Sequence, residues 1–197
     1  RKFYESNRIL IFSSILILII FLGSFSFYLE NREKKIILLS DKYIQAKIYI
    51  ENGNKNEAIK ILKEIVYADN ATYSTLALFM LLNQNFIEEH KQLLIMFDHL
   101  LENNKFEKEI KDLLIYKKAL INSNYISESE LLKALKPLIN EESMWKPHAL
   151  LLLGDFFVSK KEYIKAKEFY KKIFSISNLQ QEVYNQAQSR LTFISNE

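Results

Sequence analysis

The residues with chemical potential in this chain are few and scattered. The three histidines are His90, His99 and His148, and no pair of them has metal-ligand spacing. His90 follows Glu88 and Glu89, but sequence neighbours do not make a ligand set. There is no His-Glu-x-x-His, no glycine-rich phosphate loop and no Gly-x-Ser-x-Gly elbow. Cysteine is absent, which removes thiol catalysis and lipid-modified cysteine in the chain as given. The carboxylate pair Glu141-Glu142 falls in a polar cluster read as a turn, where solvent rather than substrate is its neighbour. The expectation is a protein with no catalytic residue, no metal and no cofactor, whose working groups are contact surfaces.

The strongest feature is physical. Ile9 to Leu29 run without charge or proline, with Gly23 the one glycine, between Arg8 and Glu30. At 1.5 Å per residue such a helix covers about 30 Å, the hydrocarbon thickness of a bilayer. A secretory signal has a shorter apolar core with small residues after it. Ser24 and Ser26 imitate a cleavage site, but Phe25, Phe27, Tyr28 and Leu29 continue the run. The expectation is an uncleaved anchor over 9–29, a flank over 1–8, a helical domain over 30–197, and lipid contact through the anchor. The chain opens at Arg1, so preceding residues are expected. Arg1, Lys2 and Arg8 nearly balance Arg32, Lys34, Lys35 and Lys42 across the run, so flanking charge alone does not set the orientation.

Beyond the anchor the surface is of mixed charge. Of 27 Lys/Arg and 24 Asp/Glu, only Arg1, Lys2, Arg8 and Glu5 precede residue 30, which leaves a net charge of +1 and no polyanion-binding composition. Nucleic acid is not an expected partner. Apolar residues recur at three and four, as in Ile44 and Ile48, Ile59, Leu62, Ile65 and Val66, Leu93, Met96, Phe97 and Leu100, and Phe157, Ile164, Phe169 and Ile173. Breaks fall at Asn52–Lys55, Ala68–Ala71, Asn83–Asn85, Glu102–Lys105, Asn122–Asn124, Asn140–Ser143 and Ser175–Asn178, because Asn and Ser side chains compete for backbone hydrogen bonds. Ser127 and Glu130 form a capping-box pair, and Pro147 suits a first helical turn. The pattern predicts an all-α chain of about nine helices of 11–18 residues beyond the anchor. The first of them, Glu30 to Glu51, continues directly from it.

Helix pairs joined by short turns repeat. Gly154 and Phe157 on one helix, Ala166 and Tyr170 on the next, resemble the tetratricopeptide repeat, in which small residues let two helices cross closely and large ones fill the holes beside them. Ile173 and Asn178 depart from that pattern. Ala46, Tyr49, Ala58 and Leu62 repeat the spacing. Weaker copies run through Ala77, Met80, Glu89 and Leu93, and through Ala119, Leu131 and Leu135. A capping helix over about 180–195 is expected to cover the last apolar face with Val183, Ala187, Leu191 and Ile194. The predicted architecture is an irregular tetratricopeptide-like α-solenoid, with an unrelated helical bundle as the plainer alternative.

The layout as a whole resembles the YfgM-type family of ancillary SecYEG translocon subunits in its α-proteobacterial form. The resemblance rests on the anchor leading into irregular repeats, the Tyr73-Ser-Thr-Leu-Ala-Leu segment, the Trp145-Lys-Pro-His-Ala-Leu segment and Arg190-Leu. It implies a bacterial inner-membrane protein, N-terminus cytoplasmic and repeats periplasmic, without catalytic residues. The implied partners are the SecYEG translocon and membrane-bound chaperones of the PpiD type. The alternative is a structural or assembly subunit of another membrane complex. Projecting the repeat's concave side gives the candidate protein-binding groove Tyr43, Lys47, Ile50, Ser74, Leu78, Leu81, Tyr116, Leu120, Leu151 and Asp155, with His148 and Val158 on the same side. Packing against neighbouring repeats is the competing reading for each of them.

Overall fold

A computed structural model of the chain describes residues 2–195; the side chains of residues 2–12, 14 and 15 lie outside the description. The described residues form nine α-helices and no strand. They are α1 (Lys2–Glu51), α2 (Lys55–Val66), α3 (Ala71–Asn83), α4 (His90–Asn103), α5 (Lys108–Asn122), α6 (Glu128–Asn140), α7 (Lys146–Ser159), α8 (Tyr163–Ile173) and α9 (Gln181–Ser195). Seven of the eight breaks fall at a polar cluster read from the sequence; the eighth, at residues 160–162 between α7 and α8, does not. Ser127 caps α6 with a reciprocal Ser127–Glu130 capping box, and Pro147 occupies the first turn of α7.

The chain divides into two compact units, Arg1–Met80 and Leu81–Glu197, with the boundary inside α3. In the first, α1 packs on α2 and buries Leu39, Ala46, Ala58, Leu62, Ile65 and Val66. Ala46, Ala58 and Leu62 have no exposed surface, as the close-crossing spacing requires. Ile44 and Ile48 belong to the same apolar series but face outward, about half exposed. They sit on the side of α1 opposite Leu39 and Ala46, so periodicity identified the helix but not which side is covered.

In the second unit α4 to α9 pack each on the next, and α9 also returns to α7. α7 is apolar on all sides, and Ala149 to Gly154, Phe156 and Phe157 are buried there. It is the central helix of this unit, which is why it shows no polar face. Val183, Ala187 and Ile194 of α9 are buried against the same core.

The turn after α1, α3 and α7 has one design. Asn54 N–H donates to Tyr49 O at 2.8 Å, Phe86 N–H to Leu81 O at 2.9 Å, and Glu162 N–H to Phe157 O at 2.9 Å. The preceding residues, Gly53, Asn85 and Lys161, have φ of +75°, +51° and +61°. Such a left-handed residue satisfies the last helical carbonyls and turns the chain back, and glycine adopts it without the Cβ penalty.

The apolar run is helical and continuous with the first repeat helix. Its described part, Leu16 to Leu29, is exposed throughout and followed by Glu30 and Arg32. Among the described residues no helix is long and apolar enough to cross a membrane. Of the expected anchor over 9–29, the side chains of residues 9–12, 14 and 15 lie outside the description, as do those of the whole flank over 1–8.

Candidate interaction surface

At the α7–α8 pair Gly154 and Tyr170 come together. Tyr170 is fully buried and its ring lies on Gly154: a Cβ built there would sit 2.1 Å from Tyr170 Cε1 and 2.6 Å from Cζ. The atoms nearest to such a Cβ all belong to this ring, and Ala166, on the same helix as Tyr170, is fully buried. Phe157 stacks parallel to Phe169, with ring centroids 5.4 Å apart. In the first unit Tyr49 is half-buried while Ala46, Ala58 and Leu62 are sealed. The copy drawn through Glu89 does not survive, because Glu89 caps the N-terminus of α4 and is exposed, so it cannot fill a helix crossing.

The projected groove residues divide by burial. Ser74 and Leu78 have no exposed surface, nor does Leu81, and Leu151 has almost none. The Ser74 hydroxyl donates to Ile65 O at 2.9 Å and accepts from Asn70 N–H at 3.3 Å, which ties α3 to the end of α2. These four side chains are core, and they offer no surface to a partner. Sequence periodicity gives helical neighbours one apolar face and cannot say whether a further helix covers it.

Tyr43, Lys47 and Ile50 of α1 keep exposed surface. Tyr43 packs on Tyr73 at 6.2 Å, and burial pushes its hydroxyl above the usual tyrosine range. Nearby, Lys42 Nζ donates to Glu64 at 2.9 Å and holds that carboxyl below the usual range.

In the second unit Tyr116 and Asp155 belong to one polar and aromatic cluster, while Leu120 is exposed. Tyr170 Oη donates to Asp155 Oδ1 at 2.7 Å, and Arg190 Nε donates to the same oxygen at 2.5 Å. One carboxylate thus links α7, α8 and α9. It keeps 41% of its side chain in solvent, and Arg190 keeps 37%, so the pair is a surface clasp. Burial and the Asp155 bond raise Tyr170 well beyond the tyrosine range. Burial raises Tyr116 as well, with the Asp155 charge adding to it and Arg190 opposing. Beside them Tyr116 stacks on Trp145 at 5.5 Å, and His148 packs on both rings, 5.8 Å from Tyr116 and 5.2 Å from Trp145. Trp145 Nε1 donates to Glu109 O at 3.2 Å. Burial holds His148 below the usual imidazole value, the Glu182 charge opposing and Lys117 adding.

Sequence reasoning placed Tyr116 and Asp155 on this face but missed Trp145 and Arg190 as its members. Arg190 stands 35 positions from Asp155, and no local signal connects them. A cavity of about 920 Å³ opens next to the cluster, between the α6–α7 loop and the α8–α9 loop, with Lys146, His148, Leu150, Lys172, Leu179 and Val183 among its walls. Among the described residues no group of three or more His, Asp or Glu is placed to hold a metal ion. His90 packs on Tyr125, with the ring centroids 3.9 Å apart and the planes tilted by 31°.

Comparison with protein families matches the tetratricopeptide repeat at residues 42–72 and 147–178. These segments contain the end of α1 with α2, nearly all of α7 with α8, and all eight repeat-packing residues. The copies drawn at Ala77 and Ala119 fall outside them. Two segments of the chain are therefore similar to the tetratricopeptide repeat, the described residues are all helical, and such repeats are protein-interaction modules. Comparison with curated proteins and with solved structures gives no significant match.

Proposed function

We propose that the chain is a membrane-tethered adaptor, an ancillary subunit of the SecYEG translocon that links the channel to periplasmic chaperones of the PpiD type. In this reading residues 9–29 cross the inner membrane with the N-terminus in the cytoplasm, and the repeats work in the periplasm without catalysis. The observation that carries it is the continuity of α1. One helix runs from an apolar, exposed segment at Leu16–Leu29 into the first matched repeat at residue 42, with no linker between them. An exposed apolar surface of that extent calls for a non-aqueous neighbour. A repeat rigidly joined to it stays at the same place, and tethering raises the effective concentration of partners so that a weak surface suffices. The binding surface of this reading comprises Tyr43, Lys47 and Ile50 in the first unit, and Tyr116, Leu120 and Asp155 in the second.

The test is topological and then chemical. Protease added to intact spheroplasts should digest the repeats, and protection until lysis would reverse the orientation. Crosslinking in native membranes should then capture translocon and chaperone subunits. Stoichiometric, salt-resistant co-purification with a different membrane complex would assign the chain to that complex instead.

A further inference from the structure

The segment 160–172 concentrates positive charge. It holds six lysines and two glutamates, a net +4 where the whole chain carries +3. Lys165 is engaged by Glu128 and Glu162, at 3.1 and 2.8 Å. Lys160, Lys161, Lys167, Lys171 and Lys172 are exposed, and among the described residues none of them is in an ion pair. Two are held in place by rings beneath them, Lys160 by Phe156 at 5.4 Å and Lys172 by Phe169 at 4.9 Å. In the midst of these ammonium groups stands Ile164, 81% exposed, a higher exposure than any other large apolar side chain described. Lys167 and Lys171 follow it at three and seven positions, on the same side of α8, with Glu168 between them as the one opposing charge. The side of α8 turned to the core carries Ala166, Tyr170 and Ile173, so this is the helix's outer face and not the groove.

We infer that the outer face of α8 docks on an anionic phospholipid surface, with the lysines over the headgroups and Ile164 entering between them. Charge complementarity selects an anionic occupant. The residue type selects lipid over an acidic protein: every cation here is lysine, a compact hydrated point charge suited to a diffuse anionic plane. Protein interfaces favour arginine and are depleted in lysine. Each lysine near such a surface strengthens binding roughly five-fold, and a lone exposed aliphatic residue adds apolar insertion. The inference rests on the tether proposed above for its proximity to a bilayer.

The chain contains no cysteine, so Ile164→Cys provides a unique site for an environment-sensitive fluorophore. The full chain is reconstituted in nanodiscs of phosphatidylcholine alone or mixed with phosphatidylglycerol, and probe emission and acrylamide quenching are read. The expected result is a blue shift and reduced quenching in the anionic discs only. High salt should abolish both effects, as should the combined Lys161→Gln, Lys167→Gln and Lys171→Gln variant, whereas Lys105→Gln, Lys133→Gln and Lys136→Gln together should preserve them. Equal signals in the two lipids, or equal loss in both triple variants, would overturn the inference. Protection that appears only when native membrane proteins are added would also overturn it and assign the face to an acidic protein. A chain that does not incorporate into zwitterionic discs refutes the tether and not this face; the same probe is then read with preformed anionic vesicles, where an unshifted signal refutes the face.

Discussion

Gly154 shows how one residue position can define a repeat. The Tyr170 ring occupies the space a side chain would need, and the ring is fixed from its far end by the hydrogen bond to Asp155. It cannot swing aside without breaking that bond and uncovering a fully buried aromatic. Gly154→Ala should therefore overpack the crossing and cost about 1–3 kcal/mol, read as a lower thermal midpoint. An unchanged midpoint would mean that α7 and α8 slide apart freely. His148 carries a second residue-scale consequence. Its folded-state pKa lies below the unfolded value because burial disfavours the charged ring. Between those two values the unfolded chain binds more protons, so stability is complete above the ordinary histidine value of about 6.5 and declines as the pH falls below it. His148→Phe keeps an aromatic ring against Tyr116 and Trp145 without a titrating group. The thermal midpoint of this variant should fall less between pH 7 and pH 5 than that of the parent chain, and parallel curves would rule out His148 as the titrating group.

At the scale of elements, helix ends do much of the positioning. The capping box of Ser127 and Glu130 satisfies donors at both the cap and the third helical position, and Ser127 also holds the Glu130 carboxyl below its usual range. Ser127→Ala should cost about 1 kcal/mol. The left-handed turn after α1 makes a sharper demand. Gly53 has φ of +75° with open space around it, so Gly53→Ala is opposed by backbone conformation alone, at about 1–2 kcal/mol. Chemical denaturation should show both losses. A Gly53→Asn variant should retain more stability than Gly53→Ala, since asparagine tolerates the left-handed region. Equal losses for Ala and Asn would mean that the penalty does not come from φ.

At the scale of the whole molecule, the apolar end of α1 is separable from the fold it leads into. Leu16 to Leu29 are exposed throughout, and none of them belongs to a buried core. Removing residues 1–29 should leave the thermal midpoint of the repeats unchanged and abolish association with membranes. A large loss of stability would show that these residues pack on the repeats, and persistent membrane binding would place the attachment elsewhere in the chain.

The sequence by itself determined the local physics. Helix periodicity, Asn-rich breaks, the Ser127–Glu130 box and the small-large spacing at Ala46–Leu62 and Gly154–Tyr170 are encoded within a few turns of chain. The helices, their ends and the two matched repeats were legible there for that reason. Only the tertiary structure decided which apolar faces are covered. Leu78, Leu81 and Leu151 read like groove residues and are core, whereas Ile44, Ile48 and Ile164 read like core and are exposed. The Asp155–Arg190 clasp and the meeting of Tyr116 with Trp145 and His148 were likewise hidden. Burial depends on which elements meet, and the chain carries no local record of a neighbour some thirty residues away.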